Sequence, residues 1–206
     1  MSVRLPMFPL GTVLFPHASL PLHVFEPRYR ALVADCLAGR NPFGVVLIER
    51  GSEVGGGDQR FGVGTRARII EAVELPDGRW LIHAVGTERI RIDRWLEDDP
   101  YPCAEVTDLS DGPAGPRAAD ARVEVERLLR QVLALRSELG ESVPDAAVTL
   151  DGDPALAAYQ ATVLASPGPL DAQRILEADG AEERLARIAV VLADDLDTLT
   201  RRLTAN

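Results

Sequence analysis

The sequence predicts an α+β protein: a small β-barrel or folded-over sheet with one early helix, followed by a bundle of helices. Up to about residue 110, short apolar runs are punctuated by Gly and Pro. Beyond it, apolar residues recur at helical spacing. Between the two lies Asp108–Pro116 (DLSDGPAGP), rich in residues that end and turn elements, so the expected subdomains are 1–110 and 117–206.

In the first part, Thr12–Phe15 and Leu20–Phe25 read as strands separated by a Pro-His turn. Glu26-Pro27 opens a helix, because proline at the first helical position loses no hydrogen bond. Tyr29, Leu32, Val33, Cys36 and Leu37 keep one helical face and Gly39 stops it. Phe43–Glu49 reads as a buried strand and Phe61–Ile69 as a half-buried one. Ile70–Leu75 and Trp80–Val85 flank the turn Pro76-Asp77-Gly78. Arg89–Leu96 alternates again, and Tyr101–Leu109 closes the series. Six or more short strands suggest the barrel or folded sheet.

In the second part, Val125, Leu128, Leu129, Val132, Leu135 and Leu139 mark one amphipathic helix. Asp153 is placed to cap another, with Pro154 in its first turn. A short helix is expected over Asp171–Ala178. The last carries Leu185, Ile188, Leu192, Leu196, Leu199 and Leu203 on one stripe, with Glu182 and Glu183 at its positive end and Arg201 and Arg202 at its negative end.

Composition excludes several chemistries. All 22 basic residues are arginine, so no P-loop lysine, Ser-Lys dyad or Schiff-base lysine exists in this sequence. The formal net charge of −10 disfavours a polyanionic partner such as nucleic acid. Cys36 and Cys103 are isolated thiols, which suits a reducing compartment. Pro6, Pro9, Pro16 and Pro21 break the apolar N-terminus, and no run approaches the ~18 apolar residues of a membrane helix. A soluble cytoplasmic protein without cofactor or metal is expected.

The remaining candidates are few. The glycine-rich Gly51–Gly64 lacks a GK[ST] ending and precedes a strand, so it reads as a hairpin loop rather than a phosphate cradle. His17, His23 and His83 have no metal-ligand spacing around them. His23 with Glu26 would make a local acid/base pair, against which stands a structural role for both. Asp98-Asp99 and Asp194-Asp195 read as solvated charge. Phe25-Glu26-Pro27-Arg28-Tyr29-Arg30 is the densest stretch. Arg28 and Arg30 have the geometry to clamp carboxylates, or Glu26 caps the helix and an arginine ties it to the sheet.

The run LPMFPLGTVLFPHASLPLHVFEPRYRALVADCL resembles the opening of the Lon substrate-binding domain family. FGVVLI at Phe43–Ile48, EVGG at Glu53–Gly56, VGTRARI at Val63–Ile69, DGRW at Asp77–Trp80, GTERIRI at Gly86–Ile92 and PYPCAEV at Tyr101–Val106 keep the family's order. DAQRILEADGAEERL at Asp171–Leu185 resembles its closing pattern. The resemblance implies a PUA-like β-barrel with a helical bundle behind it. It also implies recognition of unfolded or misfolded polypeptide for an attached or separate protease. The sequence stops where the AAA+ module would follow, and so resembles stand-alone bacterial members.

The expectation is therefore a non-catalytic polypeptide-binding protein, with Phe25, Glu26, Arg28, Tyr29 and Arg30 as the candidate contacts. Extended peptide would add to a barrel edge by strand pairing or lie in a groove between barrel and bundle. An RNA-binding PUA-like module, and a small-molecule binder or enzyme using His23 and Glu26, are the competing readings.

Overall fold

A computed structural model describes residues 2–39, 41–50 and 59–205. The chain forms two compact units, Met1–Ser110 and Asp111–Asn206. The first contains β1 (Val3–Leu10), β2 (Ser19–Val24), α1 (Pro27–Gly39), β3 (Phe43–Arg50), β4 (Gln59–Glu74), β5 (Trp80–Trp95) and β6 (Cys103–Leu109). The strands form one sheet in the order β2-β5-β4-β3-β1-β6, and β5 also pairs with β6. The hydrogen-bonded path from β5 through β4, β3 and β1 to β6 thus returns to β5. β2 hangs outside that circuit, bonded to β5 alone. β1 and β3 are parallel, and the other pairs are antiparallel.

The first strand is Val3–Leu10, whereas Thr12–Phe15 is not a strand. Val3–Leu10 carries two prolines, Pro6 and Pro9. The register shows how it tolerates them: Val3–Pro6 pairs with β6 and Met7–Leu10 pairs with β3. Each proline therefore sits in a stretch with a ladder on one side only, where a missing N–H can be accommodated. Thr12–Phe15 runs instead as a connector whose Leu14 and Phe15 are buried, and the Thr65 hydroxyl donates to the Leu14 carbonyl. Its turn places His17 at φ 64°, with its N–H donating to the Gly86 carbonyl at 2.8 Å.

β4 and β5 are each single strands of 16 residues, not the pairs of short ones that the pattern suggested. Register shifts at Thr65/Ala67 and Ile69/Glu71 explain the difference. A bulge adds one residue and breaks the alternation without ending the strand. Gly78, at φ +77°, supplies the left-handed residue that the Pro76-Asp77-Gly78 turn needs. Of the glycine-rich stretch, Gln59–Gly64 belongs to β4, and 51–58 lie outside the described residues.

Two apolar clusters fill this unit. One gathers α1 (Tyr29, Leu32, Val33, Cys36) with Phe8, Val24, Phe43, Ile82 and Ala84. The other joins Leu5, Met7, Val46, Ile90, Ala104 and Val106. Phe8 stacks on Tyr29 with centroids 4.1 Å apart, which locks the start of α1 onto β1.

The second unit holds α2 (Ala118–Glu138), α3 (Pro154–Ala165), α4 (Pro169–Glu177) and α5 (Gly180–Thr204). The Asp153 carboxylate accepts from the Ala155 N–H at 2.9 Å, the expected cap, a contact worth about 1 kcal/mol. Arg184 is fully buried. It is compensated by two hydrogen bonds to Asp111 (3.0 and 2.6 Å) and by the Tyr159 ring beneath its guanidinium. Asp195 is not simply solvated charge, because Arg136 binds it at 2.7 Å. Asp98 likewise has Arg60 at 3.8 Å. Leu185, Ile188, Leu192 and Leu199 of the α5 stripe are buried, Leu196 is partly so, and Leu203 emerges.

Candidate functional site: the β2 edge and its groove

The register of β2, β5 and β4 sets side chains in rows. Pro21 faces His83, which faces Glu71; His23 faces Leu81, which faces Val73. Strand alternation puts these residues on the side away from Leu20, Ile82 and Ala84, which enter the core. The outward rows set three apolar side chains, Pro21, Leu81 and Val73, among His23, His83 and Glu71. Leu81 is 45% exposed and Val73 49%. Together with Leu22 and Ile82 they line a groove of about 480 Å³.

A smaller hollow of about 90 Å³ adjoins it, lined by Phe8, Leu10, Leu22, His23, Val24, Phe25, Glu26 and Tyr29. Leu22 and His23 line both. Phe25, 53% exposed, meets the His23 ring edge-on at 6.3 Å. It extends the apolar surface past the end of β2. The His83 Nε2 contacts the Ser19 hydroxyl, which orients that ring.

The five candidate contacts divide by geometry. Glu26 precedes the first turn of α1, and its carbonyl accepts from the Arg30 N–H at 2.9 Å. Its carboxylate accepts from Arg28 Nε at 3.2 Å, so Arg28 clamps a carboxylate two residues away. The Arg28 guanidinium also covers the Tyr29 ring at 4.5 Å. Tyr29 is 3% exposed and belongs to the core. Arg30 lies against the hairpin turn, with its guanidinium filling the space a Cβ on Gly78 would take. Phe25 is thus the large apolar side chain of the five that faces outward. His23 and Glu26 line one hollow but form no hydrogen bond with each other, and the carboxylate bonds Arg28 instead.

Leu81, Val73, Glu71 and Pro21 were missed by sequence reasoning. The signal was present in WLIHAV, where Leu81 and Ile82 are both apolar although they point to opposite faces. Such a strand carries apolar side chains on both faces. The pairing that brings Pro21 and Glu71 beside it is long-range and leaves no local mark.

Neither cysteine is poised to react. Burial, then the neighbouring Asp35 and Cys103, pushes the Cys36 thiol up to about 11. Burial, and then its 2.7 Å hydrogen bond to Asp35, raises the Tyr101 hydroxyl as well. Among the described residues no His, Cys, Asp and Glu cluster is arranged to hold a metal.

A six-stranded sheet with one early helix, followed by a helical unit, defines a class of protein found among the N-terminal domains of Lon. The Lon N-terminal domain protein from Xanthomonas campestris aligns with a TM-score of 0.66 at 28% identity, covering 91% of this chain and 98% of that one. The N-terminal domain of Mycobacterium avium complex Lon protease shares the fold with a TM-score of 0.69 at 19% identity, covering 95% and 98%. The family described as the ATP-dependent protease La (LON) substrate-binding domain matches residues 4–194, and this chain belongs to it. Lon protease 2 of Herpetosiphon aurantiacus is 32% identical over 96% of this chain, and the Lon protease of Koribacter versatilis is 30% identical over 94%. The chain spans 24% of the length of each of these two proteases. The matched region is the substrate-binding part of Lon and not its catalytic module.

Proposed function

We propose that this chain is a non-catalytic recognition protein that binds unfolded or misfolded polypeptide through its first unit. A partner protease, attached or separate, then receives what is bound. The fold is read as a PUA-like β-barrel over 1–110 with a helical bundle over 117–206, acting in the cytoplasm. The observation that carries the reading is the apolar groove formed by Leu81, Val73 and Leu22, continued by Phe25 beside the Glu26–Arg28 pair. A folded, fully polar client offers nothing to such a surface, whereas an unfolded chain exposes apolar side chains throughout. Closing the groove over side chains that are already half buried gains about 1 kcal/mol each. After the cost of ordering a flexible chain, micromolar affinity is expected.

The test is fluorescence anisotropy with labelled, reduced and carboxymethylated lysozyme, which stays unfolded, against native lysozyme as control. Saturable binding of the unfolded form alone is expected. Absence of binding at several hundred micromolar protein, or equal binding of the native control, overturns the reading.

A further inference from the structure

We infer that the open edge of β2 binds its ligand by strand addition, and that the preferred segment is extended and alternately apolar with one central arginine. The inference rests on the polypeptide-binding reading and specifies its chemistry.

Backbone geometry comes first. The Ala18 carbonyl accepts from the Gly86 N–H at 3.0 Å, so that carbonyl points towards β5, while the Ala18 N–H closes the turn on the Phe15 carbonyl at 3.1 Å. Antiparallel alternation then turns Leu20 and Leu22 towards β5 and turns Ser19, Pro21 and His23 away from it. β2 pairs with β5 alone, so among the described residues no strand lies beside that outward row. It offers the N–H groups of Ser19 and His23 and the carbonyls of Ser19, Pro21 and His23. Pro21 lies where a strand interior tolerates it, with its donorless nitrogen on the open side. An extended peptide satisfies such a row, whereas a helix, whose polar groups bond internally, does not.

Charge identifies the side chain. Glu71 is exposed and makes no ion pair or side-chain hydrogen bond among the described residues. It stands in the row Pro21–His83–Glu71. A strand added to β2 lies three strand spacings from β4, about 14 Å. An outstretched arginine and a glutamate close that distance between them. An arginine opposite Pro21 would cross the flat proline, stack on the His83 ring and reach Glu71. The apolar neighbours of that arginine, two residues to either side, would sit beside Ser19 and beside His23 with Leu81.

The test uses a fluorescein-labelled eleven-residue peptide of alternating valine and threonine with a central arginine, titrated with the whole chain. Two sets of peptides carry N-methyl groups on alternate amides, one set displaced by one residue from the other. In one set the methyl groups block the amides that bond β2, and affinity should fall at least tenfold. In the other they point to solvent, and the change should stay below twofold. Replacing the arginine by glutamate should weaken binding about three- to fivefold, as exposed ion pairs do, and Glu71→Arg should reverse that preference. Equal effects of the two methylated sets, or a charge preference that Glu71→Arg leaves unchanged, overturn the inference. If unfolded lysozyme binds and the peptide does not, strand addition fails while the polypeptide-binding reading stands. If neither binds, both fall.

Discussion

β4 and β5 run the length of the first unit, but their two halves meet solvent differently. Beside β6, exposed positions are charged and paired. Arg94 binds Glu105 at 2.6 Å, Arg91 binds Asp93 at 3.0 Å, and the Thr107 hydroxyl donates to Asp93 at 2.6 Å. Arg66 reaches both Asp108 and Glu88, and Arg60 lies over the Trp95 ring. The Thr107 hydroxyl, and after it Arg91, holds the Asp93 carboxyl below its usual range. Beside β2, the same two strands expose Leu81, Val73, His83 and an unpaired Glu71. Inside, each half has an apolar cluster of its own. The halves therefore share one structural logic within and differ only at the surface. Function is expected where the lattice of ion pairs stops.

The largest expected effect tests the shared interior. Ile90 is wholly buried beneath the β6 half and Ile82 nearly so beneath the β2 half. Truncating either to alanine should cost about 2–5 kcal/mol in urea unfolding. A markedly smaller loss at Ile82 would mean that the β2 half is loosely packed, and its exposed apolar face would then need no functional explanation.

Alkaline pH should separate the halves next. Cys36 lies in the α1 cluster, and its thiol keeps its proton to about 11, against 9.0 for an unhindered one. Between those values the unfolded chain loses the proton while the folded chain retains it, so stability falls as pH rises from 9 to 11. The loss from this group is at most about 3 kcal/mol. Hydrogen exchange at pH 10 should show protection lost first in α1 and β2. Uniform loss across β6 as well would show that the two clusters do not act separately.

Surface substitutions come after these. Leu81→Asp should leave unfolding within about 0.5 kcal/mol, since the side chain is half exposed. It should nevertheless weaken binding of unfolded lysozyme about tenfold, the equivalent of ~1.4 kcal/mol. Arg94→Ala, in the paired half, should change stability by under about 1 kcal/mol and affinity by less than twofold. If Arg94→Ala weakens binding as much as Leu81→Asp, the contrast between the halves is wrong.

The helices were largely legible in the sequence because their signals are local. Pro154 behind Asp153, and the leucines of α5, sit within a turn or two of the residues they act on. The α1 face was readable for the same reason: Tyr29, Leu32, Val33 and Cys36 proved buried, although Leu37, expected on the same face, is exposed. The strands were harder. β1 was not singled out, because its partners change midway, from β6 to β3, and no local pattern records that change. The bulges of β4 looked like strand ends. At the candidate site, Phe25 and Glu26 could be singled out from a helix start. Glu71 could not, because its position opposite His83 depends on a pairing between strands that the sequence does not print.

Pro21 has one more consequence, for solubility. A bare strand edge is a template for copies of itself, and edges of this kind seed aggregation unless something blunts them. If two β2 strands paired about a twofold axis, each copy would bring its own missing donor, so the defect would count twice. A foreign segment brings none and meets it once. The single proline therefore biases the edge against self-assembly more strongly than against a guest. Replacing it with valine should favour clumping at high concentration over capture of clients.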